Sequence, residues 1–193
     1  MRLEIRGGWR GNCWRIAAWS IAAGLLLLPL FAMQVTDHVD WNLADFAVAA
    51  ALLVGVGATY ELAARMTCNR AYRAAVAVAL AAGFILIWIN LAVGVIGTEN
   101  NPANLMYGGV LGIGIVGAVI ARLQPYGMAR AMMAAALAQT AVAMIAVIAG
   151  MGYPESPPLE IIGGNALFIG LWLLSAWLFW KSPREQAPAD AAV

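Results

Sequence analysis

Six apolar runs, each near 20 residues, alternate with short polar gaps along the chain. The gaps are of two kinds that take turns. One kind carries arginine or lysine, and every second gap has no basic residue and carries acids instead. A helix rises about 1.5 Å per residue, so about 20 apolar residues cross a hydrocarbon layer about 30 Å thick. The runs predict transmembrane helices over 16–35, 44–64, 74–97, 104–121, 131–150 and 161–180. The expected fold is all-α, a bundle of six transmembrane helices forming one domain over 1–180. The Pro- and Ala-rich tail, 181–193, is expected to be disordered.

Charge then orients the bundle. The basic residues form four clusters: Arg2, Arg6, Arg10 and Arg15; Arg65, Arg70 and Arg73; Arg122 and Arg130; Lys181 and Arg184. The alternate gaps hold Asp37, Asp40 and Asp45, then Glu99, then Glu155 and Glu160. Basic residues stay on the cytoplasmic side of a membrane. Both termini are therefore expected in the cytoplasm. The first run follows a basic stretch, as a secretory signal does. It is longer than a signal core and lacks a small-x-small cleavage site, so it reads as an uncleaved first span. Cleavage would leave five spans. With 63% hydrophobic and 11% charged residues, the chain falls well below the roughly 25% charged residues of soluble domains. No concentrated basic face exists for a nucleic acid. The expected partners are the lipid bilayer and other membrane chains.

Finer patterns sit inside this frame. Helices two and three match four and five at an offset of 57 residues, with ten identities over 55–82. Gly55 and Gly57 match Gly112 and Gly114, and Arg65 and Arg73 match Arg122 and Arg130. The offset suggests a parallel tandem repeat of helical hairpins; alanine bias and the shared need for basic loops produce part of it. Trp9, Trp14, Tyr72, Tyr126 and Trp180 are placed at one interface, and Trp41, Tyr107 and Tyr153 at the other. Helix four carries Gly108, Gly109, Gly112, Gly114 and Gly117. Gly108 and Gly112 form a small-xxx-small pair, which permits close backbone approach in lipid. Helix four is thus expected to be the most crowded helix, with this pair packing within the chain or against a second copy.

Polar residues at membrane depth point to candidate sites, because each needs a partner. Asn90 lies inside helix three. Near the same end come Asp45, Asn104, Tyr107 and Asn165, with Glu99, Asn100 and Asn101 in the connecting loop. Together they could line a shallow ligand pocket open to the outside. Asn104 as a helix cap and Asn90 as a bridge between helices are the structural alternatives. Glu61 and Arg65 are four apart in the order that favours a local ion pair. Thr140 can bond its own helix, whereas Gln139 needs a neighbour. The single histidine, His38, lies between Asp37 and Asp40, a weak candidate for a metal site. Cys13, Cys68 and one histidine cannot supply four Cys/His ligands to zinc, and one histidine excludes bis-histidine haem ligation. The two cysteines share the reducing side, which disfavours a disulfide. The methionines read as apolar filler. Nucleophile-elbow, zincin, dinucleotide and P-loop motifs are missing from the sequence. No cofactor is expected, and enzymatic activity is not indicated.

The stretch WINLAVGVIGTENNPANLMYGGV, with the preceding ELAAR and AYRAAVAVALAA, resembles a group of small bacterial inner-membrane proteins without an assigned activity. The likeness covers roughly 45–150. It implies a bacterial multi-span protein and brings no activity, cofactor or site residue with it. The leading expectation is a non-enzymatic membrane protein that acts by packing, with itself or as an accessory subunit of a larger complex. The alternative is a carrier of a small solute or ion, using a pocket around Asn90, Asn104 and Asp45. A less favoured third reading is an intramembrane enzyme with Asp45 or Glu99 as the acid–base group.

Overall fold

A computed structural model describes residues 8–35 and 41–185. They form six α-helices: α1 Gly8–Val35, α2 Leu43–Met66, α3 Arg70–Ala92, α4 Met106–Ile120, α5 Pro125–Ile148 and α6 Pro158–Glu185. A 3-10 turn, Pro102–Leu105, leads into α4. No strand occurs among the described residues. Five helical segments are long and apolar enough to cross a membrane: Leu43–Met66, Arg70–Ala92, Pro102–Ile120, Pro125–Ile148 and Pro158–Ser182. The apolar part of α1, Trp19–Val35, is shorter.

Two compact units divide the chain, Met1–Thr59 and Tyr60–Val193, with the boundary inside α2. In the first unit, α2 opens on a reciprocal capping box. Asn42 Oδ1 accepts from the N–H groups of Ala44 and Asp45 at 2.7 and 3.2 Å, and Asp45 Oδ2 accepts from Asn42 N–H at 2.8 Å. This answers orphan donors that every helix start leaves open. A Cβ at Gly57 would meet the Trp19 ring at 3.0 Å, so glycine lets that ring lie against α2.

In the second unit, α6 is the central helix. It packs on both α5 and α3, and α5 in turn packs on α4. Its buried stripe is Ile161, Asn165, Phe168, Trp172, Ser175, Phe179 and Ser182, with alternating steps of four and three. On α5, Met128, Met132, Ala135, Gln139, Val142 and Ala146 repeat the same spacing. A period of 3.5 residues keeps one seam facing its neighbour and favours left-handed packing at shallow angles. Alanine on α3 and α5 brings the backbones close, as lipid-embedded helices require. The central place expected for α4 belongs instead to α5 and α6, since 11% of the α4 span is buried against 39% and 33% for theirs.

The corners are tighter than the arginine spacing suggested. Asn69 caps α3 by accepting from Tyr72 N–H at 2.9 Å, so α3 starts at Arg70. Asn69 Nδ2 also donates to Ser182 O at 2.6 Å. Residues 121–124 make the turn from α4 to α5, with Arg122 and Leu123 at φ of 48° and 59°. Left-handed backbone is unfavourable for side-chain-bearing residues. Two features hold this turn: Tyr72 donates its hydroxyl to Leu123 O at 2.8 Å, and Pro125 opens α5, where its missing N–H costs nothing. Tyr72 is buried and packs edge-on against Phe179 at 5.1 Å. It is therefore a bundle clasp and not the lipid-facing anchor expected of it. Arg65, Arg70, Arg73, Arg122, Arg130 and Lys181 all lie at or near this end of the unit.

The opposite end holds Glu99, Glu155 and Glu160. There α3 stops five residues before the expected end. Val93 and Gly94 N–H both donate to Ile89 O at 2.9 Å, and Gly94 takes φ 76°. This is the left-handed stop common at helix ends. A Cβ at Gly94 would also lie 2.5 Å from Thr98 O, so no other residue fits there. The apolar residues after it, Val95 and Ile96, belong to a folded-back loop in which Ile96 is fully buried. At the other end of the chain, α6 runs on to Glu185, into the segment expected as tail.

Candidate functional site

The polar residues singled out in the sequence fall into two groups within the second unit. The first is a loop clasp. Asn104 Oδ1 accepts from the N–H groups of Val95 and Ile96 at 3.1 and 3.0 Å, and its Nδ2 donates to Ile96 O at 3.3 Å and Thr98 O at 2.8 Å. A carboxamide has two acceptor positions and two donor hydrogens, and here all four are used on the backbone. Asn104 caps no helix; it staples the 95–98 loop. Asn101 Oδ1 accepts from Ala103 N–H at 3.0 Å, and its Nδ2 donates to Met151 O at 2.8 Å. Gly97 N–H donates to Ser156 Oγ at 3.2 Å. These bonds tie the 93–101 loop to the 149–157 loop. Glu99 and Asn100 stand at the exposed surface, bonded to each other at 2.9 Å.

The second group lies inside the bundle. Tyr107 from α4, Gln139 from α5 and Asn165 from α6 are all buried. The Tyr107 hydroxyl lies 3.1 Å from Asn165 Oδ1 and 3.0 Å from its Nδ2. Gln139 Nε2 donates to Asn165 Oδ1 at 2.9 Å, and Asn165 Nδ2 donates to Ile161 O at 2.8 Å. Gln139 thus finds the neighbour it needs, and one oxygen joins three helices. Ser175 extends the cross-linking toward the arginine-bearing end by donating to Ala75 O at 2.9 Å. The α6 positions 165, 172, 175 and 182 were passed over as a set in the sequence. Their spacing of seven, three and seven on one face is a legible signal of a polar seam.

Asn90 stands apart from both groups. Its Nδ2 donates to Leu86 O on its own helix at 2.7 Å, and its buried Oδ1 has no partner. Gln139 Oε1 and Trp172 Nε1 are likewise buried without partners. Asp45 belongs to the first unit, where its carboxylate is engaged in the capping box described above.

The glycines of α4 divide by face. A Cβ at Gly117 would meet Ala131 Cβ at 2.6 Å and Ala131 Cα at 3.2 Å, so Gly117 is where α4 and α5 touch. Gly108, Gly109 and Gly112 meet nothing within 4 Å. On the helical wheel Leu105, Gly108, Gly112 and Val119 share one side. They point away from the buried Tyr107 and Val110. Leu105 and Val119 are 80% and 72% exposed.

Smaller expectations also have outcomes. Arg65 pairs with Glu61 at 3.1 Å, and Thr140 donates to Ala136 O at 2.8 Å. Cys68 is an exposed free thiol. The Cys13 side chain and the Asp37–His38–Asp40 cluster lie outside the described residues. Among the described residues no group of three or more His, Cys, Asp or Glu side chains could hold a metal ion.

No protein-family model, curated protein or solved structure matches the chain. Its function therefore has to be argued from its own geometry.

Proposed function

We propose that this protein is a small integral protein of a bacterial inner membrane that acts by packing against another membrane chain, either a second copy or a larger complex. One observation carries the reading: α4 lies at the edge of its unit with the Gly108–Gly112 face open. A glycine pair facing lipid gains little, because it offers no side chain to the acyl chains. The same pair facing a helix permits close backbone contact, which drives association where no hydrophobic effect operates between helices. Exposed Leu105 and Val119 continue the face on either side.

The polar residues support the same reading. The Asn104 carboxamide is saturated by backbone bonds, and Asn165 is shared among three helices. Such side chains hold a bundle together, and the Asn104 carboxamide has no hydrogen-bonding group left to offer a solute. Six spans, including α1, with arginine-bearing ends in the cytoplasm accord with the charge segregation. Duplication of the α2–α3 and α4–α5 hairpins accords with the matched Gly and Arg positions.

Native mass spectrometry after mild detergent release tests this reading. The wild-type chain is expected to retain a second chain, and Gly112→Leu to release a single chain whose thermal stability is unchanged. A wild-type chain released alone, or an assembly indifferent to Gly112→Leu, would overturn it.

A further inference from the structure

The Tyr107–Gln139–Asn165 cluster leaves one polar atom out. Gln139 Oε1 belongs to a side chain with no exposed surface and meets no donor. Turning the amide over does not cure this. Asn165 is oriented first, because its Nδ2 faces the Ile161 carbonyl, and a carbonyl only accepts. Its Oδ1 is thereby set toward Gln139, and only an NH2 group can stand opposite that oxygen. A flipped Gln139 would place oxygen against oxygen. Oxygen and nitrogen of an amide are ordinarily assigned from the network around them, and here a backbone carbonyl fixes the whole chain of assignments. The unpartnered Oε1 follows from it.

The donors gathered on Asn165 are already used. Asn165 Nδ2 has two hydrogens, one for Ile161 O and one for the Tyr107 oxygen at 3.0 Å. The Tyr107 hydroxyl donates its own proton to Asn165 Oδ1 at 3.1 Å. The unused Gln139 carbonyl therefore finds no donor among the side chains gathered on Asn165, at the meeting of α4, α5 and α6. Buried polar groups in proteins are nearly always paired, by protein or by internal water. None of the three side chains is charged, so an ion here would sit uncompensated at membrane depth.

We propose that this cluster binds one uncharged hydroxyl-bearing molecule, which donates to Gln139 Oε1. Water is the smallest molecule with that chemistry, and a small alcohol or polyol shares it. Its place among three helices makes the occupant part of the bundle's interior and independent of the α4 docking face.

A structure of the full chain in lipid nanodiscs, purified without added polyol and at a resolution that shows ordered water, tests the proposal. Density within hydrogen-bond distance of Gln139 Oε1 is expected. Single-atom density identifies water. Extended density, with a matching retained mass in native mass spectrometry, identifies a co-purified solute. Gln139→Met keeps the length of the side chain and removes the acceptor, so the density should vanish while Asn165 and Tyr107 stay in place. Gln139 Oε1 paired to a protein donor with no density beside it would overturn the proposal. So would a coordinated cation, or density unchanged in Gln139→Met. If that variant does not fold, the wild-type map decides alone.

Discussion

Asn104→Leu is expected to cost the fold at least about 3 kcal/mol, well above the ~1 kcal/mol of an ordinary substitution. Three backbone groups lose their partner at once, Val95 N–H, Ile96 N–H and Ile96 C=O, while Thr98 C=O keeps only its bond from Asn101 N–H. Each buried polar group left unpaired costs about 1–3 kcal/mol, and partial relaxation of the loop recovers some of the total. Leucine has similar bulk, so the loss is chemical and not a cavity effect. Asn104→Asp should not rescue it, because a second carboxylate oxygen would face the carbonyls of Ile96 and Thr98. Reversible unfolding in mixed micelles gives the measurement. A loss below about 1 kcal/mol would mean that the loop does not depend on this staple.

Gly117→Leu is expected to destabilise the second unit by about 3 kcal/mol, at the upper end of what overpacking costs. The added Cβ alone would stand 2.6 Å from Ala131 Cβ. The α4–α5 seam would have to open. Gly112→Leu, barely more than one helical turn away, meets open space and should leave unfolding of the single chain unaffected. Equal losses from the two substitutions would show that both faces of α4 are packed within the chain.

Helix existence was legible because apolar length is set by the thickness of the bilayer, and five of the six runs became helices of spanning length. Helix ends were less legible. Val95 and Ile96 read as a continuation of α3 because they are apolar. They lie in a loop instead, Ile96 buried and Val95 partly so, where Asn104 meets the backbone bonds that a helix would have supplied. Arg70, Arg73 and Arg130 read as loop residues because they are charged. They lie on helices, since an arginine near a helix end can extend its head toward the interface. The centre of the bundle was misplaced because glycines on α4 were counted without regard to face. Gly117 alone makes the close crossing with α5, while the seven-residue spacing along α6 marked the true axis.

The candidate site was half legible for a similar reason. Asn104, Tyr107 and Asn165 stood out as polar residues among apolar ones, and that oddity does mark positions where hydrogen bonding matters. It does not distinguish a pocket from a clasp. Tyr107 read as an interfacial anchor, and its burial against Asn165 depends on which face of α4 meets α6. Asn90 bonds the turn below it on its own helix, a local solution that spacing alone does not separate from a bridge.

Photo-cross-linking along α4 in intact membranes tests the central claim most directly. A benzophenone side chain placed singly at Leu105, Gly108, Gly112 and Val119 should capture another polypeptide, whether a second copy or a different chain. Placed at Gly109, Ile113 and Ile120, it should capture mainly lipid. A helical pattern of protein adducts centred on Gly108 and Gly112 is the result expected of a docking helix. Adducts to lipid alone at all seven positions would contradict it, and α4 would then be a lipid-facing edge with no partner.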